Sequence, residues 1–242
     1  MEQGGQIMKR RASGFTLIEI AIVLVIIGLL LGGVLKGQEL ITGARVRNLI
    51  SQQDGVKAAF FGFQDRFRAL PGDYASAANN INCNPACFNG DGNGRIDPNA
   101  NSQGTYESLL AWNHLTAAGF LNGSYTMAAS NTSLPVDTNS PKNPYSVYIQ
   151  IVYDNIYGTG SPPAKHNLKT GSQVPVEIIA EVDRKIDDGL PYAGGFQFST
   201  YAPSGVTNPV ATGAGTCINS TPTPPIWAIS GGSTNCGAAS LF

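Results

Sequence analysis

Three groups of residues in this chain have the types and spacing to do chemistry. The first is Glu19, one carboxylate set in an apolar run that extends to Leu35. An unpaired carboxylate in hydrocarbon costs about 2.5 kcal/mol or more, so Glu19 requires a cationic partner or a function. The second is Asn89-Gly90-Asp91-Gly92-Asn93-Gly94-Arg95-Ile96-Asp97. Asn89, Asp91 and Asn93 repeat every second residue, Gly94 and Ile96 fill the sixth and eighth places, and Asp97 is ninth. An EF-hand-type loop turns oxygens at this spacing towards one calcium ion, with the main-chain carbonyl of Arg95 in the seventh place. The twelfth place is Ala100, so the bidentate glutamate is missing, and Glu107 is the acid that would have to fold back. A site this poor in charge binds at the weak extracellular end, roughly 10⁻⁴ to 10⁻³ M. A plain Asx- and Gly-rich turn is the alternative. The third group is Asp183, Asp187 and Asp188 at the end of an expected helix, where the dipole disfavours negative charge. The spacings Glu181 to Lys185 and Arg184 to Asp188 predict a structural ion network, with a second cation site or a hydrolytic carboxylate pair as alternatives. No nucleophile motif, phosphate loop or HExxH accompanies them, so the reading is not an enzyme.

Cys83, Cys87, Cys217 and Cys236 allow three disulfide pairings. Cys83 with Cys87 and Cys217 with Cys236 each close a local loop, the second around Thr221-Pro222-Thr223-Pro224-Pro225, and are the pairings expected in an oxidising compartment. The longer bridge is worth roughly 3 kcal/mol. Zinc is disfavoured, since neither spacing is a paired C-x-x-C and neither histidine lies beside a cysteine. His114 reads as a surface or packing residue.

The elements that must position these groups begin with a helix. Residues 15–35, about 21 at roughly 1.5 Å each, match a hydrocarbon core of roughly 30 Å. No proline intervenes before Pro71, and Val46, Leu49, Ile50, Val56, Phe60, Phe63 and Phe67 recur at helical spacing, which predicts continuation to about Phe67. Beyond a loop over 72–104, residues 106–115 predict a short helix capped by Thr105 and ended by Gly119. Residues 145–153 and 196–201 predict strands, and Pro175 to Asp187 a helix stopped by Gly189 and Pro191. Gly28, Gly32, Gly33 and Gly37 allow close helix contact and weaken the helix locally.

The basic residues Lys9, Arg10 and Arg11 and the small residues Ala12, Ser13 and Gly14 stand before the apolar run, the reverse of a secretory leader, whose cleavage discards the apolar region. With G-F-T-L-I-E, this arrangement resembles the type IV pilin and pseudopilin family. The resemblance implies cleavage by prepilin peptidase between Gly14 and Phe15, N-methylation of Phe15, and a role in assembly for Glu19, which neutralises the terminal amine of a neighbouring subunit. It implies an α+β, pilin-like fold in which the long helix packs its outer half on an antiparallel sheet with extra short helices and loops. It implies a leader over 1–14, a transmembrane and filament-core helix over 15–36, an amphipathic continuation over 37–70 and a globular head over 71–242. The true start is Met1 or Met8. Many type IV pilins carry a proline where this chain has Lys36, leaving any local unwinding to the glycines. The expected function is a structural subunit of a type IV pilus, with a type II secretion pseudopilin, or a minor tip subunit for adhesion or DNA uptake, as alternatives. Expected partners are other pilin subunits, prepilin peptidase and the inner-membrane assembly platform. The expected location is the inner membrane before assembly and a periplasmic or cell-surface filament after it.

Composition sets the remaining bounds. With 242 residues, 42% hydrophobic and 13% charged, the chain has room for one membrane helix and one compact domain. A net charge of −1, with no Lys/Arg run in the head, gives no electrostatic reason to expect nucleic acid as a partner. Twenty-nine glycines and fifteen prolines mark a loop-rich exported protein, ordered by its disulfides and by calcium if the loop binds it.

Overall fold

A computed structural model describes residues 16–84, 86–213 and 215–242; the Gly14–Phe15 junction lies outside the described residues. Helix α1 spans Leu17–Phe67 as 51 continuous residues, unbroken at all four N-terminal-half glycines. It ends where Arg68 takes a left-handed φ of 52° ahead of Leu70-Pro71. The chain divides after Gly43 into two compact units. In the first unit the apolar side chains stand exposed, Leu17 at 88% and Leu29 at 75%. This stretch is long and apolar enough to cross a membrane, with a mean hydropathy of 2.8 over its best window.

In the second unit α1 buries Val46, Leu49, Gln53, Val56, Ala59, Phe60 and Phe63, a stripe with the three- and four-residue steps of one helix face. The upper part of the stripe, Val46 and Leu49, packs in one core with Ile179 and Val182, Phe196 and Phe198, Trp227 and the Cys217–Cys236 bridge. The lower part, Val56 to Phe63, packs in a second core with Trp112, Leu115, Ile149, Ile151 and Leu168. One helix face thus serves two cores, and each full burial of a large apolar side chain contributes about 1.5–3 kcal/mol.

Short helices α2 (Ala77–Asn80) and α3 (Glu107–Ala117) precede strands β1 (Gln150–Asp154) and β2 (Lys165–Lys169). Helix α4 (Val176–Ile186), β3 (Phe196–Phe198), β4 (Ile218–Asn219), β5 (Ile226–Trp227) and β6 (Ala238–Leu241) complete the chain. The main sheet is antiparallel in the order β1-β2-β6-β3, so the C-terminal strand lies in its interior; β4 and β5 form a separate ribbon. A long helix, an antiparallel sheet and added short helices make this an α+β, pilin-like fold.

Four local expectations are corrected: the loop expected over 72–104 contains α2, the strand expected over 196–201 stops at Phe198, and two element starts lie elsewhere. The strand expected over 145–153 begins only at Gln150. Asn143 Oδ1 accepts the N–H groups of Tyr145 and Val147 at 2.9 and 3.0 Å, and Ser146 turns to a φ of 64°. An Asx turn therefore takes the backbone groups that a strand would have paired. Likewise Thr105 does not cap α3, whose N-cap is Tyr106 with no side-chain bond. The helix closes as expected at Gly119, where a φ of 81° lets the Phe120 N–H reach the Leu115 carbonyl at 2.9 Å.

Candidate functional site

At the start of α1, Thr16 and Glu19 form a reciprocal cap. The Thr16 N–H and hydroxyl donate to Glu19 Oε2 at 2.8 and 2.7 Å, and the Glu19 N–H approaches the Thr16 hydroxyl oxygen at 3.4 Å. This is a capping box, T-x-x-E, and its spacing was legible in Thr16-Leu17-Ile18-Glu19. The carboxylate sits at the helix end that favours negative charge. Among the described residues, the hydrogen-bond partner of the Glu19 carboxylate is Thr16, and none of their cations forms a salt bridge with it.

The loop over 89–97 is held down by acids from elsewhere. Gly90 passes so close to the 72–73 backbone that a Cβ would stand 2.3 Å from the Gly72 carbonyl oxygen, and only glycine fits there. That approach sets Asp73 beneath the loop, where its oxygens accept the N–H groups of Asn93 and Gly94, each at 2.9 Å. Glu107 folds back from the first turn of α3. Its Oε1 accepts the Asp91 N–H and an Asn101 amide hydrogen, and its Oε2 accepts the Asp97 N–H. One oxygen each of Asp73, Asp91 and Glu107 lies within 4.8 Å of the other two. Burial pushes Asp73 up to about 6, with the Glu107 charge adding and the loop N–H groups opposing; burial also raises Glu107.

The side chains selected by spacing are arranged differently. Asp91 is inside this group, whereas Asn89 Oδ1 accepts the Ala78 N–H in α2, Asn93 Oδ1 accepts the Arg95 N–H, and Asn93 Nδ2 donates to Asp97 Oδ2. Asp73, some twenty residues upstream, gave no local signal. An all-oxygen donor set with three carboxylates suits a hard cation such as calcium.

His114 anchors this region from below. The ring is fully buried; Nδ1 accepts the Gly72 N–H at 3.0 Å, and Nε2 lies 2.9 Å from the Phe88 carbonyl, to which it donates. Burial draws it down to about 4, so the ring is neutral. The Cys83–Cys87 disulfide sits beside this core, and Cys217–Cys236, with a Cα separation of 5.7 Å, ties the β4–β5 ribbon to β6.

Beside the core that holds Val182 and Trp227, Asp183 on α4 is fully buried and accepts the Trp227 indole N–H on Oδ2 at 2.7 Å. Asp187 Oδ2 accepts the Phe196 N–H at 2.8 Å, and Asp188 Oδ1 the Leu190 N–H at 2.8 Å. Glu181 pairs with Lys185 at 3.0 Å and with Arg184 at 3.3 Å. The cations of α4 therefore turn to Glu181 and away from the three aspartates.

Together these parts define an exposed apolar helix with a charged, capped start, continuous with a disulfide-bonded α+β head. The family described as "Prokaryotic N-terminal methylation motif" matches residues 9–35, so the chain carries the signature of type IV pilins and pseudopilins. No curated protein and no solved structure gave a match.

Proposed function

We propose that this chain is a structural subunit of a type IV pilus, processed by prepilin peptidase between Gly14 and Phe15 and polymerised through its N-terminal helix. The observation that carries the proposal is the methylation motif over 9–35 running into an exposed apolar helix that carries a single early carboxylate. The motif is one of structural filament proteins, and a role in a filament gives both the apolar surface and Glu19 a partner. Before assembly the helix spans the inner membrane; afterwards it lies among the helices of other subunits. The test is the mature terminus. Mass analysis of the protein from sheared filaments is expected to give a chain beginning at a methylated Phe15. A mature chain beginning beyond Leu35 would overturn the proposal, because the assembly helix would have been discarded.

Calcium at the 89–97 loop belongs to the same proposal, supported by the addition of Asp73 and Glu107 to Asp91. At ten times the dissociation constant an ion stabilises the fold by about 1.4 kcal/mol. Asp91→Asn keeps the acceptor for the Asn93 N–H and removes one charge. It is expected to remove that increment from the calcium dependence of the melting temperature, and an unchanged calcium response would reject this site.

A further inference from the structure

The three aspartates at the end of α4 combine two independent features. One oxygen each of Asp183, Asp187 and Asp188 lies within 4.8 Å of the other two, gathering three carboxylates at a helix C-terminus. Separately, Asp183 is fully buried, and its Oδ1 has no hydrogen-bond partner although Oδ2 is held by Trp227. A buried carboxylate oxygen without a donor is costly, and two neighbouring carboxylates increase that cost.

The side chains around the cluster do not remove the deficit. Arg184 and Lys185 are committed to Glu181. Lys57 on α1 lies within electrostatic reach of Asp187 but makes no salt bridge to it at 4.0 Å or less. The backbone N–H groups of Phe196 and Leu190 satisfy Asp187 and Asp188; that of Gly189 faces the Asp183 carboxylate and offsets part of its cost, but no donor makes a well-formed hydrogen bond to Oδ1. The loop is shaped around the acids: a Cβ on Gly194 would stand 2.0 Å from Asp187 Oδ2, so a side chain there would displace that carboxylate.

We propose that Asp183, Asp187 and Asp188 bind a hard divalent cation, calcium, which supplies the partner that Asp183 Oδ1 lacks. All three donors are oxygen, with no histidine or cysteine among them, which selects against zinc and copper. The ion clamps the end of α4 to the turn at 188–190 and, through Trp227, to the β4–β5 ribbon. This site is separate from the 89–97 loop and does not depend on the assignment of the chain to a pilus.

Trp227 makes the site directly observable. Terbium is a luminescent calcium substitute, excited by a tryptophan close to it. The chain has two tryptophans, so in a Trp112→Phe background Trp227 alone can sensitise the ion. With the full chain in detergent micelles, terbium is expected to give sensitised emission that calcium competes away. Asp188→Asn, an exposed change that retains the acceptor for Leu190, is expected to raise the half-saturating terbium concentration about tenfold or more. Asp91→Asn is expected to leave it unchanged, which separates the two sites. Asp183→Asn is expected to raise the melting temperature without calcium, because an amide donates to the neighbouring carboxylates, and to abolish the calcium increment assigned to this site. If Trp112→Phe does not fold, the calcium-induced melting shift of the wild type against Asp188→Asn decides. No Trp227-sensitised emission, or a calcium response unaltered by both Asp188→Asn and Asp183→Asn, would overturn the proposal.

Discussion

Glu19→Gln is expected to leave membrane insertion intact and to reduce filament yield by about tenfold or more, the effect of losing about 1.4 kcal/mol or more at each subunit contact. Glutamine preserves the capping bond from Thr16, so helix initiation is retained while the charge is removed. Glu19→Ala removes both and is expected to assemble no better. The pair separates two roles: if glutamine restores wild-type filament numbers where alanine does not, Glu19 acts only as a cap within its own chain. Insertion itself is expected to be as good or better in both variants, because a carboxylate in hydrocarbon is costly until a neighbouring subunit satisfies it. Counting filaments in a strain that makes only the variant, with membrane fractionation as the control, gives the result.

The second large effect concerns His114. In the folded head its pKa is drawn down to about 4 by burial, against an ordinary value of 6.5. Between those values the unfolded chain binds a proton that the folded head refuses, so stability is full above about 6.5 and is lost as pH falls through 4. The loss from this group is about 3 kcal/mol. Asp73, Glu107 and Asp183, all raised by burial, act in the opposite sense, because their protonation favours the fold. The wild type alone would therefore show a blunted acid response. His114→Gln isolates the imidazole's contribution: glutamine can accept from Gly72 and donate to Phe88 but does not titrate. The stability difference between wild type and His114→Gln, from denaturant melts, is expected to shift by about 3 kcal/mol against the wild type between pH 7 and pH 4. A difference constant over that range would show that the ring takes up its proton without leaving its site.

His114 also shows how little the sequence said about the buried polar groups. A histidine on a short helix with no second ligand nearby reads as surface or packing, and nothing local points to Gly72, forty-two residues upstream. The same holds for Lys169. It is fully buried, and its ammonium donates to Asp154 and to the Ile156 carbonyl, both at 2.8 Å. Burial lowers it to about 8, with the Asp154 charge opposing. Its strand, Lys-His-Asn-Leu-Lys, has one aliphatic residue and no alternating pattern, so β2 gave no signal of its own. It becomes a strand because β1 and β6 on either side complete its hydrogen bonds.

What the sequence determined by itself is what depends on short-range order. The apolar run and the stripe from Val46 to Phe67 specify a long helix with one exposed apolar half and one packing half. Pro175 and Gly189 likewise bracket α4, whose first helical residue is Val176 and last is Ile186. Helix periodicity and end signals are encoded within a few residues, and so they can be read locally. The tertiary structure alone decided the sheet order, with β6 inserted beside β2, and the placing of Asp73 beneath the 89–97 loop, where it accepts the N–H groups of Asn93 and Gly94. Each of these depends on groups distant in sequence meeting where water is excluded. There an unpaired donor, acceptor or charge is expensive, and which partner relieves it is set by the packing of the whole head rather than by spacing along the chain.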